Sequence, residues 1–184
     1  MLKSWKFWLV NVALFALFAL FAVGFRYDPK LVPSPLVGKK APPFSVVEMQ
    51  SGEKLDLDTL QGTPFLLNFW ASWCVACRTE AKVLEAAHRR YGKDPKVFRV
   101  IGIAVQDKQE AALAFARRFG KTYYLGLDSV AGDIALNYGL YGVPKSFFVD
   151  AEGVIQYKSI GPVTDELIEK KVPPLLKGSG QNGQ

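Results

Sequence analysis

The chain has 184 residues, of which 49% are hydrophobic and 22% charged, with a formal net charge of +6. This length supports one sizeable core, and the ordinary charged content does not indicate a disordered chain. Basic residues are scattered rather than interleaved with aromatic residues, which argues against a nucleic-acid-binding protein. We interpret them as solvated helix faces: Arg78, Lys82, Arg89, Arg90, Lys93, Arg117, Arg118 and Lys121.

The amino-terminal segment predicts a membrane anchor. Residues 7–25 carry no charge, and at ~1.5 Å per residue a helix of this length nearly crosses a ~30 Å hydrocarbon core. Lys3 and Lys6 precede the run, so the positive-inside rule places residues 1–6 in the cytoplasm and the rest of the chain across the membrane. The alternative is a signal peptide cleaved near Ala22-Val23-Gly24, although the apolar run is longer than the usual signal core.

A tether and a tail are predicted on either side of one soluble domain. Residues 26–37 include three prolines within seven residues, which favours an extended and stiff segment. The soluble domain is expected to span residues 38–177. Residues 178–184 consist of Gly, Ser, Gln and Asn, and we expect them to form a disordered tail.

The soluble domain begins with alternating predicted strands and helices and ends with a hairpin and a helix. Strands are predicted at residues 44–49, around 55, and at 65–70, 97–105, 124–127, 146–150 and 154–160. Helices are predicted at residues 75–91, 108–119, 134–138 and 164–176, the last interrupted by Pro173 and Pro174. Alternation favours parallel pairing, and the hairpin is antiparallel. We therefore expect an α/β fold with a mixed sheet and helices on both faces.

The only two cysteines, Cys74 and Cys77, lie between the strand at 65–70 and the next helix. At the first turn of a helix, the dipole and the free backbone N–H groups favour a thiolate. The thiolate is the nucleophilic form of cysteine, which makes Cys74 the attacking group. Cys77 lies one turn further, so the pair can cycle between dithiol and disulfide through a mixed disulfide. We predict a redox site that needs no cofactor.

Other uses of the cysteine pair have less support. A structural zinc site usually needs four ligands, and besides the two cysteines the chain offers one histidine, His88. Covalent haem attachment needs a histidine directly after the second cysteine, where this chain has Arg78. A purely structural disulfide stays open as an alternative, although so short a loop constrains the unfolded chain little. We expect no bound metal.

These features together resemble the thioredoxin superfamily. The resemblance lies in a strand, the sequence Trp73-Cys74-x-x-Cys77, a helix, and Val143-Pro144 before the terminal hairpin. Residues 67–74, 77–80, 139–144 and 148–153, with the amino-terminal anchor, more narrowly resemble the membrane-anchored thiol:disulfide interchange proteins of cytochrome c maturation, the DsbE/CcmG type. The resemblance covers residues 38–176.

The resemblance implies roles for individual residues. Cys74 would be an exposed nucleophile and Cys77 a buried resolving thiol. Pro144 would follow a cis bond beside the disulfide, where the backbone of its neighbours can pair with an extended substrate segment. Trp73, Val143, Pro144 and Lys145 would bind the substrate or shape the active site. By itself the sequence favours a trans bond, because only ~5–6% of X-Pro bonds are cis.

Glu80 matches an acidic residue near the active site of these proteins. A carboxylate there can relay a proton to or from the second cysteine. The alternative is an exposed glutamate in the first turn that only favours the helix dipole.

Two features depart from the pattern of these proteins, the Val75-Ala76 pair and Lys145, and Asn68 departs from that of general thioredoxins. Val75-Ala76 replaces a proline-containing pair between the cysteines, and Asn68 stands where many thioredoxins carry a buried aspartate. Lys145 stands where glutamate is frequent. If its ammonium approaches Cys74, it should stabilise the thiolate and raise the reduction potential.

For function, the resemblance implies a thiol:disulfide oxidoreductase on the bacterial inner membrane, facing the periplasm. It would reduce disulfides, first of all in apocytochrome c before haem attachment, and a membrane electron-transfer donor would reduce it again. An alternative is a reductant or oxidant of other envelope proteins. Another is a non-catalytic metal-binding or chaperone module, but a copper carrier should bring a histidine or methionine near the cysteines. His88 lies about three turns beyond Cys77, and we expect Met1 and Met49 to be no better placed.

Overall fold

The computed structural model describes residues 2–24 and 35–178. The chain divides into two units after Pro33, and each is described by itself. The predicted tether, residues 26–37, lies largely outside the described residues. The predicted disordered tail lies outside them apart from residue 178, so both remain predictions.

The first unit is one helix, α1 (Leu2–Gly24). Its apolar side chains are exposed around the helix, with 67–76% of the surface of Phe7, Trp8, Phe15 and Phe18 accessible. Among the described residues, no helix meets the combined length and hydropathy of a membrane-spanning helix.

The second unit contains a five-stranded mixed sheet. The first half of this unit comprises β1 (Ser45–Val47), β2 (Lys54–Asp56), a 3-10 turn (Leu57–Leu60), β3 (Phe65–Trp70), α2 (Val75–Tyr91) and β4 (Arg99–Ala104). Its second half comprises α3 (Gln109–Phe119), β5 (Tyr124–Leu127), α4 (Asp133–Asn137), β6 (Lys145–Val149), β7 (Ile155–Ile160) and α5 (Asp165–Gly178).

The sheet has the strand order β5-β4-β3-β6-β7, and β1 and β2 form a separate hairpin. β3 pairs in parallel with β4, and β4 with β5, whereas β6 runs antiparallel to both β3 and β7. The predicted mixed α/β sheet is therefore confirmed. β3 lies at its centre and every residue of β3 is buried, which explains its nearly continuous apolar sequence.

Two core layers lie on opposite faces of the sheet. Alternate β3 residues Leu66 and Trp70 face one layer, which α2, α3 and α5 complete. Phe65, Leu67 and Phe69 face the other layer, which the β1–β2 hairpin and α4 complete. Both cysteines belong to the layer with α2, so the redox site lies at the end of β3 on that side.

The predicted interruption of the last helix at Pro173 and Pro174 is wrong. α5 continues through both prolines to Gly178. Ile168, Val172 and Leu175 are buried along one side of the helix. This packing keeps the last turns helical although neither proline can donate a backbone hydrogen bond.

Candidate active site

The loop after β3 holds Cys74 at the start of α2. Cys74 is the N-cap of this helix, and its sulfur accepts a hydrogen bond of 3.0 Å from the Cys77 backbone N–H. Two further contacts fix the loop: the Ser72 hydroxyl donates to Asp107 at 2.8 Å, and Trp73 Nε1 donates to the Gln106 carbonyl at 3.0 Å. The start of α2 thus directs a free helix N–H, that of Cys77, at the Cys74 sulfur, as the sequence predicted.

Cys74 and Cys77 form a disulfide, with their Cα atoms 5.3 Å apart. Cys77 is fully buried, as the resemblance implied. Cys74 is less exposed than expected, with only 5% of its surface accessible. Its sulfur is directed over the helix end toward Cys77, and the Val143 carbonyl oxygen lies 3.8 Å from it. Cys74 is nevertheless the outer cysteine, because Trp73 and Val75 beside it are exposed.

The Val143-Pro144 peptide bond is cis, as the resemblance implied. Pro144 is buried, and its carbonyl accepts a hydrogen bond from the Gly161 N–H at 3.0 Å. The bond therefore lies directly beside the disulfide, with Val143 facing Cys74.

Glu80 is buried in the core layer behind the cysteines, with 1% of its surface accessible. The alternative of an exposed first-turn glutamate is therefore wrong. Asn68 Nδ2 donates to one carboxylate oxygen at 2.9 Å, and the Val163 N–H donates to the other at 3.0 Å. Burial raises the pKa of Glu80 to about 7, although the two hydrogen bonds and the positive charge of Lys121 oppose the rise.

Asn68 connects Glu80 to β6, a role that the sequence analysis missed. It is fully buried in β3, and its Nδ2 also donates to the Ser146 hydroxyl at 3.0 Å. The available signal was one amide within an otherwise apolar strand, because a buried polar side chain needs hydrogen-bond partners.

The prediction that the basic residues form solvated helix faces is wrong for Lys121. Seven of the eight residues interpreted as solvated are exposed, but Lys121 is buried with 4% of its surface accessible. Gly120 ends α3 in the left-handed conformation and turns the chain inward. The Lys121 ammonium lies 3.5 Å from the centroid of the Trp70 ring. Burial lowers its pKa to about 7, although the negative charge of Glu80 opposes this.

Lys145 is also buried, with its ammonium 3.3 Å from the centroid of the Tyr141 ring. Ser146 faces Asn68, so strand alternation places the Lys145 side chain on the other face of the sheet. Burial and the nearby charge of Lys158 lower the pKa of Lys145 to about 8. The effect of Lys145 on Cys74 stays a prediction.

An apolar groove begins beside the disulfide. It encloses about 280 Å³ and is lined mainly by Trp73, Leu136, Leu140, Tyr141 and Val143. Trp73, Leu136 and Tyr141 have 56%, 70% and 81% of their surface accessible. Exposed apolar side chains grouped in this way are typical of a binding surface.

Within residues 2–24 and 35–178, no cluster of three or more His, Cys, Asp or Glu side chains is arranged to hold a metal ion.

Residues 37–158 match the AhpC/TSA family. The thiol:disulfide interchange protein DsbE of Allochromatium vinosum is 37% identical over 154 residues, which are 83% of this chain and 82% of that protein. DsbE of Escherichia coli K12 is 33% identical over 150 residues, or 80% of this chain and 78% of that protein.

Solved structures agree with these relatives. The crystal structure of a putative DsbE from Chlorobium tepidum matches with a TM-score of 0.68 and 27% identity, covering 76% of this chain and 97% of that one. The solution structure of a putative protein disulfide isomerase from Bacteroides thetaiotaomicron matches with a TM-score of 0.69 and 30% identity, covering 79% and 93%. The chain therefore belongs to the AhpC/TSA family of thioredoxin-like proteins and is a thiol:disulfide oxidoreductase homologous to DsbE.

Proposed function

We propose that this protein reduces disulfides in proteins of the bacterial envelope, and that apocytochrome c before haem attachment is its substrate. The observation that carries thiol–disulfide exchange is the position of the cysteine pair, and the reducing direction is proposed from the sequence resemblance. Cys74 caps α2 and receives the Cys77 N–H on its sulfur, while Cys77 is fully buried behind it. The substrate itself is proposed from the sequence resemblance to the interchange proteins of cytochrome c maturation.

In the reduced protein, the Cys74 thiolate attacks one sulfur of the substrate disulfide. A bond forms between Cys74 and that sulfur, the substrate disulfide breaks, and the leaving thiolate takes a proton from water. Cys77 then transfers its proton to Glu80 and attacks the Cys74 sulfur. The Cys74–Cys77 disulfide forms and the second substrate thiolate leaves. Two electrons have passed to the substrate, and a membrane donor must return two electrons to the protein.

Glu80 suits the role of proton acceptor by its position and its chemistry. It follows Cys77 by three residues on α2, so both side chains lie on the same buried face of the helix. Its pKa of about 7 allows the carboxylate to take up and release a proton near neutral pH.

The apolar groove supports an extended substrate segment with apolar or aromatic side chains near its cysteine. Trp73 and Tyr141 flank the groove, and Val143 connects it to Cys74. Burying these exposed side chains against a substrate would favour binding by about 25 cal/mol for each Å² of apolar surface removed from water.

The test of function uses the full-length chain in detergent. Cys77→Ser cannot complete the second step, so it should accumulate a mixed disulfide with an oxidised apocytochrome c. Cys74→Ser, the matched control, should form none. A mixed disulfide with other envelope proteins but not with apocytochrome c would favour the alternative reductant. A reduction potential near ~−120 mV instead of ~−270 mV would indicate an oxidant.

We also propose that α1 anchors the protein in the inner membrane, with residues 1–6 in the cytoplasm, residues 26–37 as a tether and the domain in the periplasm. The uncharged run at 7–25 and the exposed apolar side chains of α1 support this proposal. Alkaline extraction should leave the full chain in the membrane pellet and release a chain that lacks residues 2–24. Release of both chains would contradict the anchor.

A further inference from the structure

We propose that Lys121 is a positioning residue for thiol–disulfide exchange, because its ammonium, buried on the face of Trp70, controls the charge on Glu80 behind Cys77. This inference rests on the proposed function and deepens it. It assigns a purpose to a buried cation that the exchange steps themselves do not use.

The surroundings of Lys121 are unusual for a lysine. Its ammonium lies 3.5 Å from the centroid of Trp70, 5.4 Å from that of Phe115 and 5.5 Å from that of Tyr123. In the part of the chain that the structure describes, no carboxylate lies at ion-pair distance from it. Burying a cation without such a partner is costly, and the ring faces offset only part of the cost.

A short path connects this ammonium to Glu80. Trp70 and Asn68 are successive residues on the same face of β3, and Asn68 donates to the Glu80 carboxylate at 2.9 Å. Lys121 and Glu80 therefore lie against neighbouring side chains of one strand. The two charges act on each other: Lys121 favours the carboxylate form of Glu80, and Glu80 favours the ammonium form of Lys121.

The other elements around this pair bring few competing charges. α3 and α5 contribute the apolar side chains Ala112, Phe115, Ala116, Ile168 and Val172 to this layer. On α2, Glu85 is held by Arg89 and Thr122, and the His88 ring lies 6.1 Å from that of Tyr123. The pKa of the Tyr123 phenol is raised, chiefly by burial and further by the negative charges of Glu80 and Glu85.

The consequence is a pair that titrates together. The pKa of Glu80 is raised to about 7 and that of Lys121 is lowered to about 7, so both exchange protons in the same range. When Glu80 takes the proton from Cys77, its carboxylate becomes neutral. The buried Lys121 ammonium then loses the negative charge that favoured its protonated form. Lys121 then releases a proton more readily, which links thiol exchange to proton release.

The experiment measures the rate at which the previously reduced full-length chain in detergent reduces an oxidised apocytochrome c, from pH 5.5 to 9. Wild type should show an inflection near pH 7. Lys121→Met should move it to higher pH by up to roughly one unit, because the carboxylate loses a favourable charge. Lys121→Arg keeps the charge and should restore the lower inflection. Lys171→Met, which removes a lysine–ring contact with Tyr157, should match wild type.

Combining Lys121→Met with Glu80→Gln shows whether Lys121 acts through Glu80. Glu80→Gln alone should lack the inflection, and adding Lys121→Met should not displace the profile further. The inference is overturned if Lys121→Met only scales the rate at every pH, or displaces the profile equally in the Glu80→Gln background. If wild type does not reduce apocytochrome c at any pH, the proposed substrate fails, and this inference fails with it.

Discussion

The buried carboxyl of Glu80 predicts how the stability of the fold depends on pH. Burial raises its pKa from 4.5 to about 7, whereas the unfolded chain keeps the ordinary value. Between these values the folded protein holds a proton that the unfolded chain has lost, so stability falls as the pH rises. The whole displacement corresponds to about 3 kcal/mol of unfolding free energy, of which about 2 kcal/mol is lost between pH 5 and 7.

Glu80→Gln removes the titrating group and should therefore remove this fall. The assay is urea unfolding of the oxidised full-length chain in detergent, followed by tryptophan fluorescence at steps between pH 5 and 7. The difference in stability between wild type and variant should change by about 2 kcal/mol across this window. The window ends at pH 7 because the lowered pKa of Lys121 makes stability rise again above it.

Glu85→Gln is the matched control on the same helix. Burial alone would raise the pKa of Glu85, but hydrogen bonds from Arg89 and Thr122 hold it below its ordinary value. This variant should therefore be less stable than wild type by the same amount at every pH from 5 to 7. Its stability should fall with pH as steeply as that of wild type. Parallel stability curves for wild type and Glu80→Gln over this range would refute the reasoning.

Asn68→Ala leaves Glu80 without one donor, so it should cost about 1–3 kcal/mol of unfolding free energy, and an unchanged urea midpoint would count against the hydrogen bond. Leu136→Ser in the groove should raise KM for an apolar peptide disulfide roughly tenfold with little change in kcat; a lower kcat with the same KM would argue against substrate binding there. If the Lys145 ammonium stabilises the thiolate, Lys145→Glu should raise the pKa of Cys74, measured from alkylation rates against pH. Unchanged acidity would refute that hypothesis.

Local sequence signals predicted the main elements of the domain. The bounds of β3, α2 and β5 agree with the prediction. Gly62-Thr63-Pro64 comes directly before the apolar run of β3, and Gly92 ends the helical spacing of α2. The position of Cys74 at a helix start also follows from local pattern, since it depends only on the adjoining strand and helix. The resemblance singled out Glu80 as an acid near the active site but left its burial open, and the structure shows that it is buried.

The sequence by itself determined the order of strands and helices, the mixed sheet and the cysteine pair between β3 and α2, because these depend on residues close together in the chain. Tertiary structure decided the rest of the site. Asn68, Glu80 and Lys121 come from β3, α2 and the loop after α3, and only packing brings them together. Burial then removes water from their polar groups, and this desolvation displaces the pKa of a carboxyl upward and that of a lysine downward. Charge and burial at such a site depend on neighbours distant in sequence, and no local pattern encodes them.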